Sequence, residues 1–174
     1  PQVNWPNKAK GAINFVINYE EGGESCILEG DSQSEHLLSD IVGATPYNNA
    51  RHLNMESLYE YGSKVGFWRL HRAFKERNFP STVFCVGRAL EQNPIVGEAM
   101  KSLDWEIASH GYRWLDYQNI TEEVEREHIY KTIETHQKIL GERPLGFYQG
   151  KPSLNTRKII IEEGGFLYDS DSYS

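Results

Sequence analysis

Ala12-Ile13-Asn14-Phe15-Val16-Ile17-Asn18-Tyr19-Glu20-Glu21-Gly22-Gly23-Glu24 joins an apolar run to three carboxylates and two glycines. The first eight residues predict a β-strand bounded by turn-forming residues. Alternation along this strand places Asn18 and Glu20 on one face, with Tyr19 and Glu21 on the other. Open α/β sheets and (β/α) barrels hold their active sites at the carboxyl ends of strands, so the acidic end indicates a candidate site.

The neighbouring carboxylates Glu20 and Glu21 are costly to hold together unless a cation, a shared proton or hydrogen-bond donors compensate. Such crowding raises one pKa and suits a carboxyl group to acid–base chemistry. The alternative is a solvated acidic loop. Other predicted strand ends also have polar residues: Ser109 and His110, Tyr148 and Gln149, and Asp169 and Asp171. Polar groups from several strand ends that meet on one rim favour an enzyme.

The length of 174 residues predicts a single domain that spans residues 1–174. A formal charge of −7 argues against nucleic acid or an anionic membrane as a partner and leaves a small-molecule substrate. No apolar run approaches the length that a bilayer requires. Cys26 and Cys85 lie far apart and no secretory segment is visible, so a reduced, cytoplasmic protein is expected.

Predicted strands alternate with predicted helices along the chain. The strands cover residues 12–19, 82–86, 105–108, 145–148 and 166–168, and the helices cover residues 54–78, 93–103, 122–140 and 155–163. This alternation predicts a parallel sheet and the α/β class.

The helix predicted at residues 54–78 has two apolar stripes. One consists of Leu58, Tyr61, Val65 and Trp68, and the other of Phe67, Leu70 and Phe74. A helix that is apolar on two faces covers the core and something else. The second face packs either under the long loop at residues 24–54 or against another subunit. A homo-oligomer is therefore expected.

Three motifs together resemble those of the polysaccharide deacetylases, the NodB-homology superfamily. They are Asn18-Tyr19-Glu20-Glu21-Gly22, Ser109-His110-Gly111-Tyr112-Arg113-Trp114 and Gly141-Glu142-Arg143-Pro144. The family versions of the first two are Thr-Phe-Asp-Asp-Gly and Ser-His-x-x-x-His. The stretches at residues 54–70, 105–110 and 163–169 are similar to one branch, the cofactor-independent allantoinases. The resemblance covers essentially the whole chain.

The resemblance implies a distorted (β/α) barrel and amide hydrolysis. It implies that Glu20 is the general base, and it puts Glu21 and His110 at the positions of a metal-binding carboxylate and imidazole. The second imidazole position is Trp114, whose indole N–H has no lone pair for a metal. A hydrolytic zinc site usually has three protein ligands. We therefore expect no metal cofactor, with a divalent ion such as zinc, held by Glu21 and His110, as the alternative.

Two histidines of the long loop, His36 and His52, are conceivable replacement ligands but are expected on the surface. Without a metal, the catalytic residues are predicted to be Glu20, Glu21 and His110. Glu20 takes a proton from water as it attacks a hydantoin carbonyl.

Donors to the oxyanion are expected from His110 or from the backbone N–H groups of Gly22 and Gly23. Crowding is expected to leave Glu21 or Glu24 protonated, ready to return the proton to the leaving nitrogen. Trp114 is expected to form a flat wall for a planar heterocycle. The substrate-binding residues are predicted to be Asn18, Glu24, Arg113, Trp114 and Lys151. For the two cations, neutralisation of nearby carboxylates is an equal alternative.

Only five strands are predicted, whereas barrels of the resembled family have seven or eight. The chain is therefore expected to be an incomplete N-terminal portion of the barrel, completed by a second segment or chain. Three functions remain open: a metal-free allantoinase, a metal-dependent polysaccharide (chitin-type) N-deacetylase, and an inactive carbohydrate-binding or scaffold relative.

Overall fold

The structure, a computed structural model, describes residues 4–172 of the chain. Five parallel strands form one sheet in the order β1-β2-β3-β4-β5. The strands are β1 (Phe15–Tyr19), β2 (Ser81–Cys85), β3 (Glu106–Ser109), β4 (Gly146–Phe147) and β5 (Tyr168–Asp169). All five predicted strands and the α/β class are confirmed, although β1, β4 and β5 are shorter than predicted and β5 overlaps its predicted range only at Tyr168.

Six α-helices connect the strands. They are α1 (Leu53–Tyr61), α2 (Phe67–Arg77), α3 (Gly87–Gln92), α4 (Pro94–Lys101), α5 (Glu122–Leu140) and α6 (Thr156–Glu163). The predicted start of α5 is confirmed, because the Thr121 hydroxyl accepts a hydrogen bond from the N–H of Val124 at 3.5 Å. Its end is confirmed at Gly141, which adopts the left-handed conformation with φ 78°. The short helix α3, directly after β2, is not predicted.

The segment predicted as one helix at residues 54–78 is interrupted by a π-helical turn, Gly62–Gly66. The predicted stripes are wrong in part. Met55, Tyr59 and Phe67 are buried, whereas Leu58, Tyr61, Val65 and Leu70 are exposed. A π turn adds one residue to the helical repeat, so the face that meets the core shifts along the segment. The homo-oligomer stays a prediction.

The strand register places the functional side chains on one edge. Tyr19 of β1 is level with Cys85 of β2, and Cys85 is level with Ser109 of β3. The residues that follow these strands therefore lie side by side. The ladder continues past the strands, because the N–H of His110 donates to the carbonyl of Cys85 at 2.9 Å. This confirms the predicted rim at the carboxyl ends of the strands.

The sheet is open in the described part of the chain. Between residues 4 and 172, β1 pairs only with β2, and β5 pairs only with β4. Five strands of this kind form part of a barrel wall rather than a closed barrel. Within the described residues, the outer hydrogen-bonding edges of β1 and β5 therefore have no strand partner.

No helix within residues 4–172 has both the length and the apolar character needed to cross a bilayer. The longest helix, α5, has 19 residues and begins with the acidic residues Glu122, Glu123 and Glu125. The cytoplasmic location of the protein stays a prediction.

Candidate active site

Glu20 and His110 form a buried pair at the carboxyl edge of the sheet. The His110 Nε2 atom lies 2.9 Å from Glu20 Oε1, and the two residues are 1% and 8% exposed. The Asn18 side chain donates a second hydrogen bond to Glu20 Oε1 at 3.0 Å. Three predicted site residues are thus brought together by β1 and by the turn after β3.

The position of one proton in this pair follows from the other imidazole nitrogen. His110 Nδ1 lies 2.7 Å from the carbonyl oxygen of Tyr148. A carbonyl oxygen only accepts, so Nδ1 carries a hydrogen. The contact between Nε2 and Glu20 then holds one shared proton, as imidazolium with carboxylate or as imidazole with carboxylic acid. The pair is therefore built to move a proton between these two atoms.

The loop after β4 is held by a carboxylate from the end of β5. Asp171 accepts hydrogen bonds from the N–H groups of Gln149 at 2.8 Å and of Gly150 at 2.7 Å. Burial raises the pKa of Asp171. The same loop provides the Tyr148 carbonyl, and the Tyr148 ring stacks on His110 at 4.9 Å. Asp171 thereby holds in place the loop that contacts the His110 ring.

Glu21 and Glu24 lie on the other side of the β1 end, away from the Glu20–His110 pair. They line a cavity of about 600 Å³, together with Glu56, Tyr59, Glu60 and Lys64. The Glu21 carboxyl packs against Gly62 so closely that a Cβ there would collide with it. Burial raises the pKa of both Glu21 and Glu24. Glu21 was predicted to act together with Glu20 and His110, but the cavity that it lines includes neither of them.

Arg113 ties the loop after β1 to the turn after β3. Its guanidinium donates to the carbonyls of Gly23 at 3.1 Å and Glu24 at 2.8 Å, and to Asp31 Oδ2 at 2.5 Å. These partners hold the Nε and Nη2 atoms of the guanidinium in place. The geometry favours the structural alternative for Arg113 over a substrate contact.

Trp114 and Lys151 are in contact with each other. The Lys151 ammonium lies 3.5 Å from the centroid of the Trp114 ring, a cation–π arrangement. Burial lowers the pKa of Lys151, while the carboxylates of Glu35 and Glu20 oppose this change. Lys151 covers one face of the indole, so Trp114 is not the open flat wall that was expected. A substrate on that face would meet the ammonium first.

The expected oxyanion donors in the glycine turn are already engaged. The N–H of Gly22 donates to Glu24 Oε2 at 2.6 Å, and the N–H of Gly23 donates to the carbonyl of Glu20 at 2.8 Å. The expectation that these groups stabilise an oxyanion is wrong, because each one completes the turn itself. Both nitrogens of His110 are engaged as well, so donors to a substrate oxygen must come from other side chains such as Lys151.

The residues at the metal-ligand positions do not fit a metal ion. Glu21 faces the cavity, both nitrogens of His110 are paired with protein oxygens, and the Trp114 indole offers no lone pair. In the described chain, no group of three or more His, Cys, Asp or Glu residues is arranged to hold an ion. These residues therefore do not fit a catalytic metal ion.

The two loop histidines do not complete such a site. His52 is buried rather than at the surface as expected, because its ring stacks on Tyr47 at 4.3 Å. His36 is partly exposed beside its neighbour Glu35.

Comparison with known proteins places these features in one family. The family model described as "Polysaccharide deacetylase" matches residues 54–160. A curated relative, a "Putative polysaccharide deacetylase" of Schizosaccharomyces pombe, is 40% identical over 98% of this chain and 56% of its own length. The chain thus spans little more than half the length of this relative.

Two solved structures share the fold closely. A probable polysaccharide deacetylase from Pseudomonas aeruginosa has 54% identity and a TM-score of 0.96, over 98% of this chain and 57% of that one. Puue allantoinase has 51% identity and a TM-score of 0.95, over 98% and 56%. Two differently named proteins are thus almost equally similar to this chain.

Proposed function

The chain belongs to the polysaccharide deacetylase family, and within it we propose an allantoinase-type activity, the metal-free hydrolysis of the hydantoin ring of allantoin to allantoate. The observation that supports this choice is the Glu20–His110 pair, which stands beside Trp114 instead of a second imidazole. The similarity to Puue allantoinase supports the substrate. Because the chain spans little more than half of its relatives, the activity is assigned to the complete protein.

The first step is attack of water on a ring carbonyl. Asn18 and His110 both contact Oε1 of Glu20, which leaves Oε2 of the same carboxylate to take a proton from water. A C–O bond forms and the carbonyl oxygen becomes an oxyanion. The positive charges on His110, when protonated, and Lys151 stabilise that oxygen.

The second step breaks the ring C–N bond. The proton that Glu20 received returns to the leaving nitrogen, and the electron pair of the oxyanion re-forms the carbonyl as the ring opens. A ring nitrogen flanked by two carbonyls leaves more readily than the nitrogen of an ordinary acetamide. A site with one carboxylate, one imidazole and one ammonium is therefore sufficient without a Lewis acid.

N-deacetylation of a polysaccharide is the second candidate. It is supported by the names of the Schizosaccharomyces pombe relative and of the Pseudomonas aeruginosa structure. A simple acetamide has a poorer leaving nitrogen, so that reaction gains more from a metal ion. Glu21, His110 and Trp114 do not fit a metal ion, and this argues against the second candidate.

The deciding experiment measures the complete protein on allantoin and on an acetylated chitooligosaccharide, each with and without a strong chelator. We expect allantoate formation that the chelator leaves unchanged, and no acetate release. Activity that appears only on the oligosaccharide with added zinc would overturn the proposal in favour of deacetylation.

A further inference from the structure

Glu125, in the first turn of α5, is fully buried, with 0% of the residue exposed. Its Oε2 atom accepts a hydrogen bond from the Ser153 hydroxyl at 2.5 Å, and its Oε1 atom accepts one from the Thr156 hydroxyl. Ser153 precedes α6 and Thr156 is its first residue. A buried carboxyl group is costly unless its oxygens are hydrogen-bonded, so these two contacts hold Glu125 in the interior.

The backbone fixes the direction of both hydrogen bonds to Glu125. The N–H of Asn155 donates to the Ser153 hydroxyl at 2.9 Å, and the N–H of Ser153 donates to the Thr156 hydroxyl at 2.8 Å. Each hydroxyl thus receives a backbone hydrogen and donates its own hydrogen to Glu125. The arrangement needs two acceptor oxygens at this position, which a carboxylate has and an amide lacks.

The loop between β4 and α6 contains Lys151 and is held at both ends. Asp171 binds the N–H groups at its beginning, and Glu125 binds its end through Ser153, two residues after Lys151. Between these two points the N–H of Tyr117 donates to the Lys151 carbonyl at 3.2 Å. The main chain at residue 151 is therefore confined by contacts on both sides.

The Lys151 ammonium lies 3.5 Å from the centroid of the Trp114 ring. The carboxyl groups that act on its charge belong to Glu35, Glu20 and Asp116. A lysine side chain has many rotamers, and a single cation–π contact is weak. The place of the ammonium therefore depends on where the loop holds the main chain of this residue.

We propose that Glu125 is a positioning residue, which holds the loop so that the Lys151 ammonium stays over Trp114. The inference rests on the proposed function, in which Lys151 stabilises the oxyanion. Because Glu125 has no exposed surface, it acts through the loop rather than on the substrate. An amide at this position would leave one hydroxyl hydrogen without an acceptor, and the end of the loop would move to satisfy it.

The first test follows Lys151 directly in the complete protein, by NMR of lysine side chains labelled at Cε, with Lys151→Met to assign its signal. Burial lowers the pKa of Lys151, so the wild-type signal should titrate below the ordinary range of lysine. In Glu125→Gln the ammonium should become better solvated, and its titration should move back toward the ordinary value. An unchanged titration in Glu125→Gln would overturn the proposal.

Ser153→Ala provides the same test if Glu125→Gln does not fold. It removes one of the two donors to Glu125 and keeps the carboxyl group. The Lys151 titration should shift in the same direction. A folded Ser153→Ala protein with the wild-type titration would contradict the proposal.

The second test is a double-mutant cycle on kcat/KM. Glu125→Gln alone should lose up to about tenfold, the loss expected for removal of the Lys151 charge. In the Lys151→Met background the same change should have an effect below about twofold, because its action passes through the ammonium. Losses that multiply would show that Glu125 supports the site in another way, and the assignment would be wrong.

Glu122→Gln is the matched control. Glu122 lies on the same helix, three residues before Glu125, and also connects α5 to α6, through Lys158 at 2.9 Å. Its side-chain partners, Arg126 and Lys158, lie outside the loop. This variant should keep the Lys151 titration and kcat/KM. If it changed both as Glu125→Gln does, the cause would be the packing of the two helices, and the proposal would fall.

Failure of the proposed function has a different signature. The NMR test needs no substrate, so it decides the positioning role even if the wild-type protein is inactive on both amides. If the wild-type protein hydrolyses only the acetylated oligosaccharide, the allantoinase assignment falls, and the double-mutant cycle is judged on that amide by the same criteria.

Discussion

Glu20 and Glu21 are consecutive and chemically identical, yet the structure gives them opposite surroundings. Glu20 contacts His110 and Asn18 on the inner side of the rim. Glu21 faces the acidic cavity, packs against Gly62 and accepts a hydrogen bond from the backbone N–H of Glu20 at 3.2 Å. The partner of Glu20 can hold a proton or a positive charge, whereas burial among carboxylates favours the neutral form of Glu21.

The difference teaches that the side of a strand, rather than the residue type, decides the role of a carboxylate. Alternation sends neighbouring side chains to opposite faces. The motif of two acids therefore combines one position that contacts His110 with one that packs against Gly62. Substitutions at Glu20 and Glu21 compare these two positions, and one at Lys151 gives an intermediate case.

The largest effect is expected for Glu20→Gln, which removes the base. The amide can still accept from Asn18, so the fold should be kept. We expect kcat on allantoin to fall by about 10³-fold, within the range for loss of a general base. Steady-state kinetics check this, with Glu21→Gln as the matched control. Near-normal turnover in Glu20→Gln would mean that another group accepts the proton.

A smaller loss is expected for Lys151→Met, which keeps the packing on Trp114 but removes the charge. We expect kcat/KM to fall about tenfold, because one of several charges near the oxyanion is lost. The lowered pKa of Lys151 also predicts that wild-type activity declines as pH rises through that value. This alkaline decline should be absent from the pH profile of the variant.

Lys158→Met controls for the loss of a lysine elsewhere. Lys158 is an exposed residue that pairs with Glu122 at 2.9 Å. Its profile should match wild type. A Lys151→Met profile that kept the alkaline decline would exclude Lys151 as its source.

The smallest kinetic effect is expected for Glu21→Gln, with kcat/KM within about threefold of wild type. Its effect should appear in stability. A carboxyl whose pKa is raised by folding stabilises the protein fully below its unfolded pKa, and that contribution is lost as pH rises through the folded value. The glutamine does not ionise, so the variant should be more stable than wild type at pH 8.

Denaturant unfolding at pH 5 and pH 8 checks this expectation. The advantage of Glu21→Gln should be larger at pH 8. If instead its activity collapsed like that of Glu20→Gln, the division between the two faces would be wrong.

Much of the fold follows from local sequence. The apolar strands, the Thr121 cap and the Gly141 stop each have a signal within a few residues. Helix α3 does not, because its first N–H groups are satisfied from a distant turn. Gly87 and Arg88 donate to the carbonyls of Gly111 and Tyr112, each at 2.9 Å. Those partners become neighbours only once β2 and β3 have paired.

The candidate site could be predicted from the sequence to about the same extent as the fold. Glu20, His110 and Asn18 follow from the strand ends and the motifs, and the structure brings them together. The hydrogen bond that orients the His110 ring could not be predicted from the sequence, because its acceptor is the backbone carbonyl of Tyr148. Every residue has such a carbonyl, so no side-chain pattern marks the one that matters.

The contact of Asp171 with the loop after β4 has a practical consequence for redesign. The orientation of the His110 ring depends on a backbone loop that is pinned by the end of β5. Substitutions at the end of β5 are therefore expected to change turnover, even though the residues there do not contact the substrate. Mutant libraries limited to the acidic motif would overlook them.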